Sequence, residues 1–328
     1  MDQKTVDIMI PTHKPDRNLF TLLKRLGKQD YPIKRIYITN TDETFWDPSL
    51  EEEFPDVIVN QIDADAFDHG GTRHEMALQS EADLMLFMTQ DALPADRHLV
   101  GNLVRMFSDE TERIAVAYGR QTAGKDAGTL DRFSRAFNYP RESVIHTQED
   151  VGRLGIKAYF CSDVCAMYDR EIYFSLGGFP RPSIFNEDMI FAGMALQAGY
   201  AAAYAADAVV FHSHNYSGSQ QFHRYFDNGV SQAQHPEIFE AVPPEGEGKR
   251  LVKDSAAYVI RKNRAYLLFP LVWQSACKYT GFWLGKHYRK LPEKFVKACS
   301  QNRTFWKQKK GPGPGDSGFS EEEKGTSP

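Results

Sequence analysis

Four short strings hold the chemistry-bearing residues of this 328-residue chain: His69-Gly70-Gly71-Thr72-Arg73, Thr89-Gln90-Asp91, Asn186-Glu187-Asp188 and His212-Ser213-His214. The first places two glycines, a helix start and a cation within one turn, a setting in which backbone N–H groups can approach an anion. The second leaves an acid just past an apolar run. The third puts two acids at an expected helix N-terminus, where the positive end of the dipole should keep Asp188 ionised near neutral pH. A carboxylate in that state can serve as a general base. The fourth spaces two imidazoles i, i+2 on one expected strand, so both share a face and lie within reach of one metal ion or a diphosphate. Each string also has an ordinary reading: a Gly-Gly turn, a solvated strand cap, or acids at a helix start. No three-histidine zinc spacing is present.

The elements that must position these strings can be read from periodicity. Residues 6–10 form a short apolar run ending in Pro11-Thr12, as a buried parallel strand would. Leu19, Leu22, Leu23 and Leu26 then recur at helical spacing up to Gly27. Residues 35–39 and 57–62 read as further strands, so the opening is a right-handed βαβ unit of a mostly parallel sheet. Thr72-x-x-Glu75 has the form of a capping box and predicts a helix through about residue 80. Residues 84–88 read as a strand with Thr89-Gln90-Asp91 past its end. A helix over about 97–107, capped by Asp96, and a strand over 114–118 follow. Further on, 161–168 reads as a strand, 170–176 as a short helix, 189–198 as a helix and 208–214 as a strand.

Hydrophobic residues make up 41% and charged residues 25%, enough for one sizeable core in a soluble protein. Four cysteines without a C-x-x-C pair predict a reducing, cytoplasmic setting, and the opening MDQK carries no signal-peptide pattern. The net charge of −5 conceals an asymmetry: residues 249–310 hold sixteen Lys/Arg against Asp254 and Glu293, so that segment carries +14 and the remainder −19. A basic segment on an acidic body points to a negatively charged partner. No nucleic-acid-binding motif accompanies it, so nucleic acid is not expected. Residues 265–285 are apolar and aromatic but interrupted by Pro270, Gln274 and Lys278, a poor spanning helix. With Lys and Arg on both flanks the stretch suits a helix lying on an anionic membrane surface. The tail 311–328 has the composition of disorder.

Several runs carry a family resemblance: Phe67-Asp68-His69-Gly70-Gly71-Thr72-Arg73, Thr89-Gln90-Asp91-Ala92, Gly119-Arg120-Gln121, Cys161-Ser162-Asp163 and Tyr225-Phe226-Asp227-Asn228-Gly229. Over about residues 5–305 the chain resembles family 2 glycosyltransferases of the GT-A fold, and within them the rhamnosyltransferase-like subgroup. That resemblance implies an α/β fold with a mostly parallel sheet flanked by helices: a GT-A domain over 1–235, a basic, aromatic-rich helical region over 236–310, and the tail. It implies an inverting transfer of L-rhamnose from dTDP-β-L-rhamnose to a lipid-linked or polysaccharide acceptor at the cell surface. The resemblance makes Asp188 the base and gives Glu187 an acceptor or loop role. Asp91 matches the metal-facing acid of the family's D-x-D motif, and Thr89 replaces its first acid. Mg²⁺ or Mn²⁺ would sit on Asp91, His212 and His214, with either histidine able to face it. The nucleotide-sugar would meet Thr12, Asn40, Asp42, Gly70, Gly71, Arg73, Thr89, Gln90 and Asp91. The implied location is the cytoplasm, peripheral on the inner face of the plasma membrane. Two alternatives stay open: another donor, such as a UDP-hexose or UDP-galactofuranose, and a non-catalytic nucleotide- or carbohydrate-binding relative. Intact Asp91 and Asp188 argue against the second, because a binding module needs no base.

Overall fold

A computed structural model of the chain describes residues 3–308 except 110, 125, 126, 215, 241, 243 and 244; the tail 311–328, expected to be disordered, lies outside the described residues. Among the described residues nine strands form one sheet: β1 (Val6–His13), β2 (Arg35–Thr41), β3 (Val57–Ile62), β4 (Leu84–Met88), β5 (Leu93–Pro94), β6 (Ile114–Thr122), β7 (Val144–His146), β8 (Cys165–Asp169) and β9 (Ala201–Phe211). Their order is β3-β2-β1-β4-β8-β6-β9-β5, with β7 paired to β9. Strands β1 to β4, β6 and β9 all run one way, while β5, β7 and β8 are reversed. The sheet is therefore mostly parallel, as expected, with β8 inserted antiparallel between β4 and β6.

Both faces are covered, which is why the central strands read as continuous apolar runs. On one side Ile8, Ile10, Leu86 and Met88 pack under Leu19, Leu22, Leu23 and Leu26 of the Arg17–Leu26 helix and under the Leu99–Met106 helix. On the other, Met9, Met85 and Phe87 meet Met76, Tyr168, Tyr173, Phe179 and Phe191. Phe87, Tyr173, Phe179 and Phe191 stack edge to face on Tyr168, with centroids 5.1–5.9 Å away. Such pairs add roughly 0.5–1.5 kcal/mol each beyond their burial.

Three local expectations are corrected. The helix expected to open at Thr72 starts at His69; its cap is Asp68, whose carboxylate accepts the Gly71 N–H, while Thr72 Oγ1 accepts the Asp68 N–H at 3.2 Å. The strand expected over 161–168 begins only at Cys165, because Cys165 N–H donates to Ser162 O and closes a turn that lifts Asp163 off the sheet. Strand β9 starts seven residues before the expected 208. Alanine has low strand propensity and hides the Ala201–Ala206 half, whose side chains are small enough to pack between both covering layers.

The expected helical C-terminal region is present. The Leu268–Lys286 helix lies along the Gly218–Gln234 helix, which begins before residue 235. A Cβ on Gly281 would fall 2.3 Å from Phe222 O, and one on Gly285 2.1 Å from Phe226 O, so the two backbones touch with no room for side chains. The Gly218–Gln234 helix in turn holds the loop before Asn186: Ser231 Oγ donates to Phe185 O at 2.6 Å. Asp227 receives the N–H groups of Gln301 and Asn302, fastening the chain's end to the same helix. No helix among the described residues is long and apolar enough to cross a membrane.

Candidate active site and metal centre

Parallel strands end on one edge, and loops leaving that edge collect distant residues in open α/β sheets. Here β1, β4, β6 and β9 end at His13, Met88, Thr122 and Phe211, and the reversed β8 starts beside them. That edge therefore gathers Thr89-Gln90-Asp91, Gln121, Asp163 and His212.

Asp91 lies in the turn between β4 and β5, closed by Ala92 N–H to Thr89 O. Its carboxylate is 3.6 Å from His212 Nε2 and 3.2 Å from His214 Nε2, and one ligand atom from each residue lies within 4.8 Å of the others. Both histidines thus face the same point, although they sit just past the strand end rather than on it. His212 Nδ1 is 3.0 Å from Gln121 Oε1; a proton there leaves the Nε2 lone pair toward Asp91. Burial holds the His212 pKa well below the ordinary value and lowers that of His214 as well. Neutral imidazoles and one carboxylate form a donor set that fits a divalent cation.

A second cluster sits at the start of the Glu187–Gln197 helix. Arg73, expected to face the donor, is buried instead: Nε is 3.2 Å from Asp163 Oδ2, and Nη1 is 3.2 Å from Glu187 Oε1 and donates to His69 O at 3.0 Å. Burial works against its charge, but Glu187 and Asp163 outweigh that and hold the guanidinium charged. Asp188 remains partly exposed beside this group, accepting the Asp163 N–H at 3.0 Å and the Met189 N–H at 2.7 Å. The helix dipole does not dominate its titration. Burial, reinforced by the charge of Glu187, raises the Asp188 pKa to about 7, and the backbone donors only partly offset this. The expectation of a firmly ionised Asp188 is thereby corrected: it is poised at neutrality, the range in which a general base is most effective. Burial also drives the Asp163 carboxyl upward, and lowers His69 to about 4, so that imidazole is neutral.

The remaining expected contacts divide. Thr12 Oγ1 donates to Asn40 Oδ1 at 2.9 Å, and Asn40 Nδ2 reaches Gln61 Oε1 at 2.7 Å, so both residues are held in a buried network at the ends of β1 and β2. Asp42 has φ 71° and caps the N–H of Thr44. Gln90 clamps His13 through both backbone groups, at 2.9 and 3.1 Å, which ties β1 to the end of β4 and uses up its amide. Gly70 and Gly71 do not offer an open anion cradle. A Cβ at Gly70 would fall 2.2 Å from Pro180 O, and the Gly71 N–H is committed to Asp68. Thr89 keeps a buried hydroxyl without a hydrogen-bond partner among the described residues.

No family model matches the chain. Among curated proteins it is 37% identical over 306 residues to the O-antigen chain rhamnosyltransferase RfbN of Salmonella typhimurium, covering 92% of this chain and 96% of that protein. It is 38% identical over 247 residues to the O-antigen chain rhamnosyltransferase WbaN of Salmonella anatum, covering 75% and 78%. The chain belongs to the rhamnosyltransferase-like family 2 glycosyltransferases. Two solved structures share the fold of this glycosyltransferase. The mannosyltransferase PcManGT of Pyrobaculum calidifontis, solved with GDP-Man and Mn²⁺, has a TM-score of 0.52 at 17% identity, over 90% of this chain and 79% of that one. TarS 1–349 of S. aureus, solved with UDP-GlcNAc, has a TM-score of 0.50 at 14% identity, over 87% and 92%.

One residue of the glycosyltransferase without an expected site role joins the two clusters. Gln121 Oε1 meets His212 Nδ1 and Arg135, while Gln121 Nε2 donates to Ser162 Oγ at 2.9 Å, next to Asp163. Its only sequence signal is its place at the end of β6 in the Gly119-Arg120-Gln121 run. Gln121→Leu should leave His212 without its Nδ1 partner and weaken Mn²⁺ affinity about 10–100-fold, the usual cost of losing an outer partner of a ligand. Titration of the transferase with Mn²⁺ by calorimetry checks this, and an unchanged affinity removes Gln121 from the centre.

Proposed function

We propose that this glycosyltransferase moves L-rhamnose from dTDP-β-L-rhamnose to the saccharide of a growing O-antigen-type polysaccharide, with inversion and with Asp188 as base. The reading rests above all on Asp188: a partly exposed carboxylate with a pKa of about 7, on the same sheet edge as the Asp91–His212–His214 triad. In the proposed step the acceptor hydroxyl oxygen attacks the anomeric carbon, its proton passes to Asp188, and the bond from that carbon to the diphosphate oxygen breaks. Asp163 orients Asp188 through its backbone N–H, and Arg73 holds the Glu187 and Asp163 side chains in place beside it. Asp91, His212 and His214 would hold Mn²⁺ or Mg²⁺, which when bound neutralises the leaving diphosphate. Thr12, Asn40, Asp42, Gln90 and the Thr89 hydroxyl shape the nucleotide end, with Glu187 on the acceptor side. Incubation with a panel of nucleotide-sugars tests the donor: dTDP-β-L-rhamnose should be consumed far faster than UDP-hexoses, and preferential use of UDP-galactofuranose would sink that choice.

We further propose that residues 1–235 carry the transfer chemistry and 236–310 dock the enzyme on the inner face of the plasma membrane. Phe269, Val272, Tyr279 and Trp283 recur at helical spacing on the exposed face of the Leu268–Lys286 helix, with Tyr266 in the turn before it and Trp273 at the edge of the face, its indole against Gly218 of the partner helix. Phe269 is 79% and Tyr266 71% exposed, so this stripe contributes little to the core. Exposed Arg261, Lys262 and Arg264 flank one end, and Arg289, Lys290 and Lys294 the other. Aromatic anchors between basic ends suit an anionic leaflet, at about 1 kcal/mol per basic residue near the surface. The full chain should sediment with vesicles containing phosphatidylglycerol at low salt and not with neutral vesicles. Phe269→Ser with Tyr279→Ser should abolish this without loss of folding; wild-type indifference to anionic vesicles would refute the docking.

A further inference from the structure

A pocket of about 320 Å³ opens between the end of β6 and the Thr129–Asn138 helix, lined by Arg120, Arg132, Arg135, Arg141, Gln121 and Tyr139 among others. Among the described residues four guanidinium groups line it and no carboxylate does. The acid facing Arg135 is Asp131, 3.7 Å away on the same helix. Arg132 donates to the carbonyls of Ala127 and Gly124 at 3.0 and 3.1 Å, and Arg135 to Gln121; these contacts fix the direction of the two forks. Arg120 Nε is buried with no hydrogen-bond partner among the described residues, and Arg141 stands exposed at the rim. Planar guanidinium forks around a cavity of surplus positive charge match the oxygens of a phosphate or diphosphate.

Two features separate this pocket from the donor's own diphosphate. Gln121, in its wall, meets the Nδ1 edge of His212, whereas Asp91 meets the Nε2 edge, so the imidazole stands between the pocket and the triad's focus. The pocket's helix is also tied to the region bearing the exposed aromatic stripe. Phe133 packs on Tyr258 with centroids 4.7 Å apart, and Arg264, at the entrance to that stripe, donates to Thr129 Oγ1.

We propose that Arg120, Arg132, Arg135 and Arg141 form a diphosphate site for the group joining the acceptor saccharide to its lipid carrier, an inference that rests on the lipid-linked acceptor reading above. On this proposal a lipid carrier under the aromatic stripe would present its diphosphate to the pocket helix that Phe133–Tyr258 and Arg264–Thr129 tie to that region.

The test uses the full chain and inorganic pyrophosphate in excess chelator, which silences the triad. Pyrophosphate should bind there; Arg120→Ala and Arg141→Ala, neither of which removes a support of the fold, should each weaken it about tenfold or more. Asp91→Ala should leave it unchanged. Binding that appears only with Mn²⁺, or that ignores both arginine variants, overturns the proposal. In turnover, Arg141→Ala should raise KM for a lipid-diphosphate saccharide while leaving KM for the same saccharide without phosphate unaltered, and equal increases for both also overturn it. A mistaken donor assignment would show separately, as no transfer from dTDP-β-L-rhamnose to either acceptor with arginine-dependent pyrophosphate binding retained.

Discussion

Asp188→Asn is expected to lower transfer by about 10²–10⁴-fold, the usual worth of a positioned general base, while dTDP affinity is preserved. Asparagine keeps the side-chain volume and one carbonyl oxygen to accept a backbone N–H, so the loop held by Asp163 N–H and the helix start at Met189 should survive. What disappears is the carboxylate proposed to take the acceptor's proton. The pH profile gives an independent reading. The base works deprotonated, and its pKa is raised to about 7, so wild-type kcat/KM should climb about tenfold per pH unit below that point and level off above it. The variant should lose this limb along with its rate. Calorimetry with dTDP and a product-release assay across pH separate the two effects, and near-normal turnover by Asp188→Asn would remove it from the mechanism.

Asp91→Ala is expected to cost about 10³-fold in turnover, equivalent to several kcal/mol of transition-state charge stabilisation, and to abolish the Mn²⁺ dependence of dTDP binding. Two neutral imidazoles would remain, without the carboxylate that sits 3.2–3.6 Å from both. Asp91 is 27% exposed in the turn after β4, so its loss should show in metal affinity far more than in thermal stability. Excess chelator should silence the wild-type enzyme equally. Full activity in chelator would leave the leaving diphosphate to the arginines and histidines alone and would remove the metal from the reaction.

The chain by itself determined the strand–helix alternation of the first 120 residues, the apolar strands β1, β2 and β4, and the positions of Asp91, Asp188, His212 and His214 beside element ends. Such features are encoded in a few neighbouring residues: a continuous apolar run bounded by Pro or Gly, leucines at helical spacing, acids at a helix start. The direction of Arg73 was not legible. A helix starting at Thr72 would have put Arg73 in the first turn, beside free N–H groups; the start at His69 moves it a full turn inward, where Asp163, 90 positions away, receives it. The reversal of β8 has no local signature either, because strand direction depends on which edge is left open by β4 and β6. Nor could Gln121 stand out, since an amide at a strand end acquires its role only from His212, 91 positions further on, and Ser162. The charge state of Asp188 followed the same rule. Its helix-start position argued for a low pKa, but titration sums the desolvation and charges of everything folded around it, and in this site burial and Glu187 outweigh the helix end.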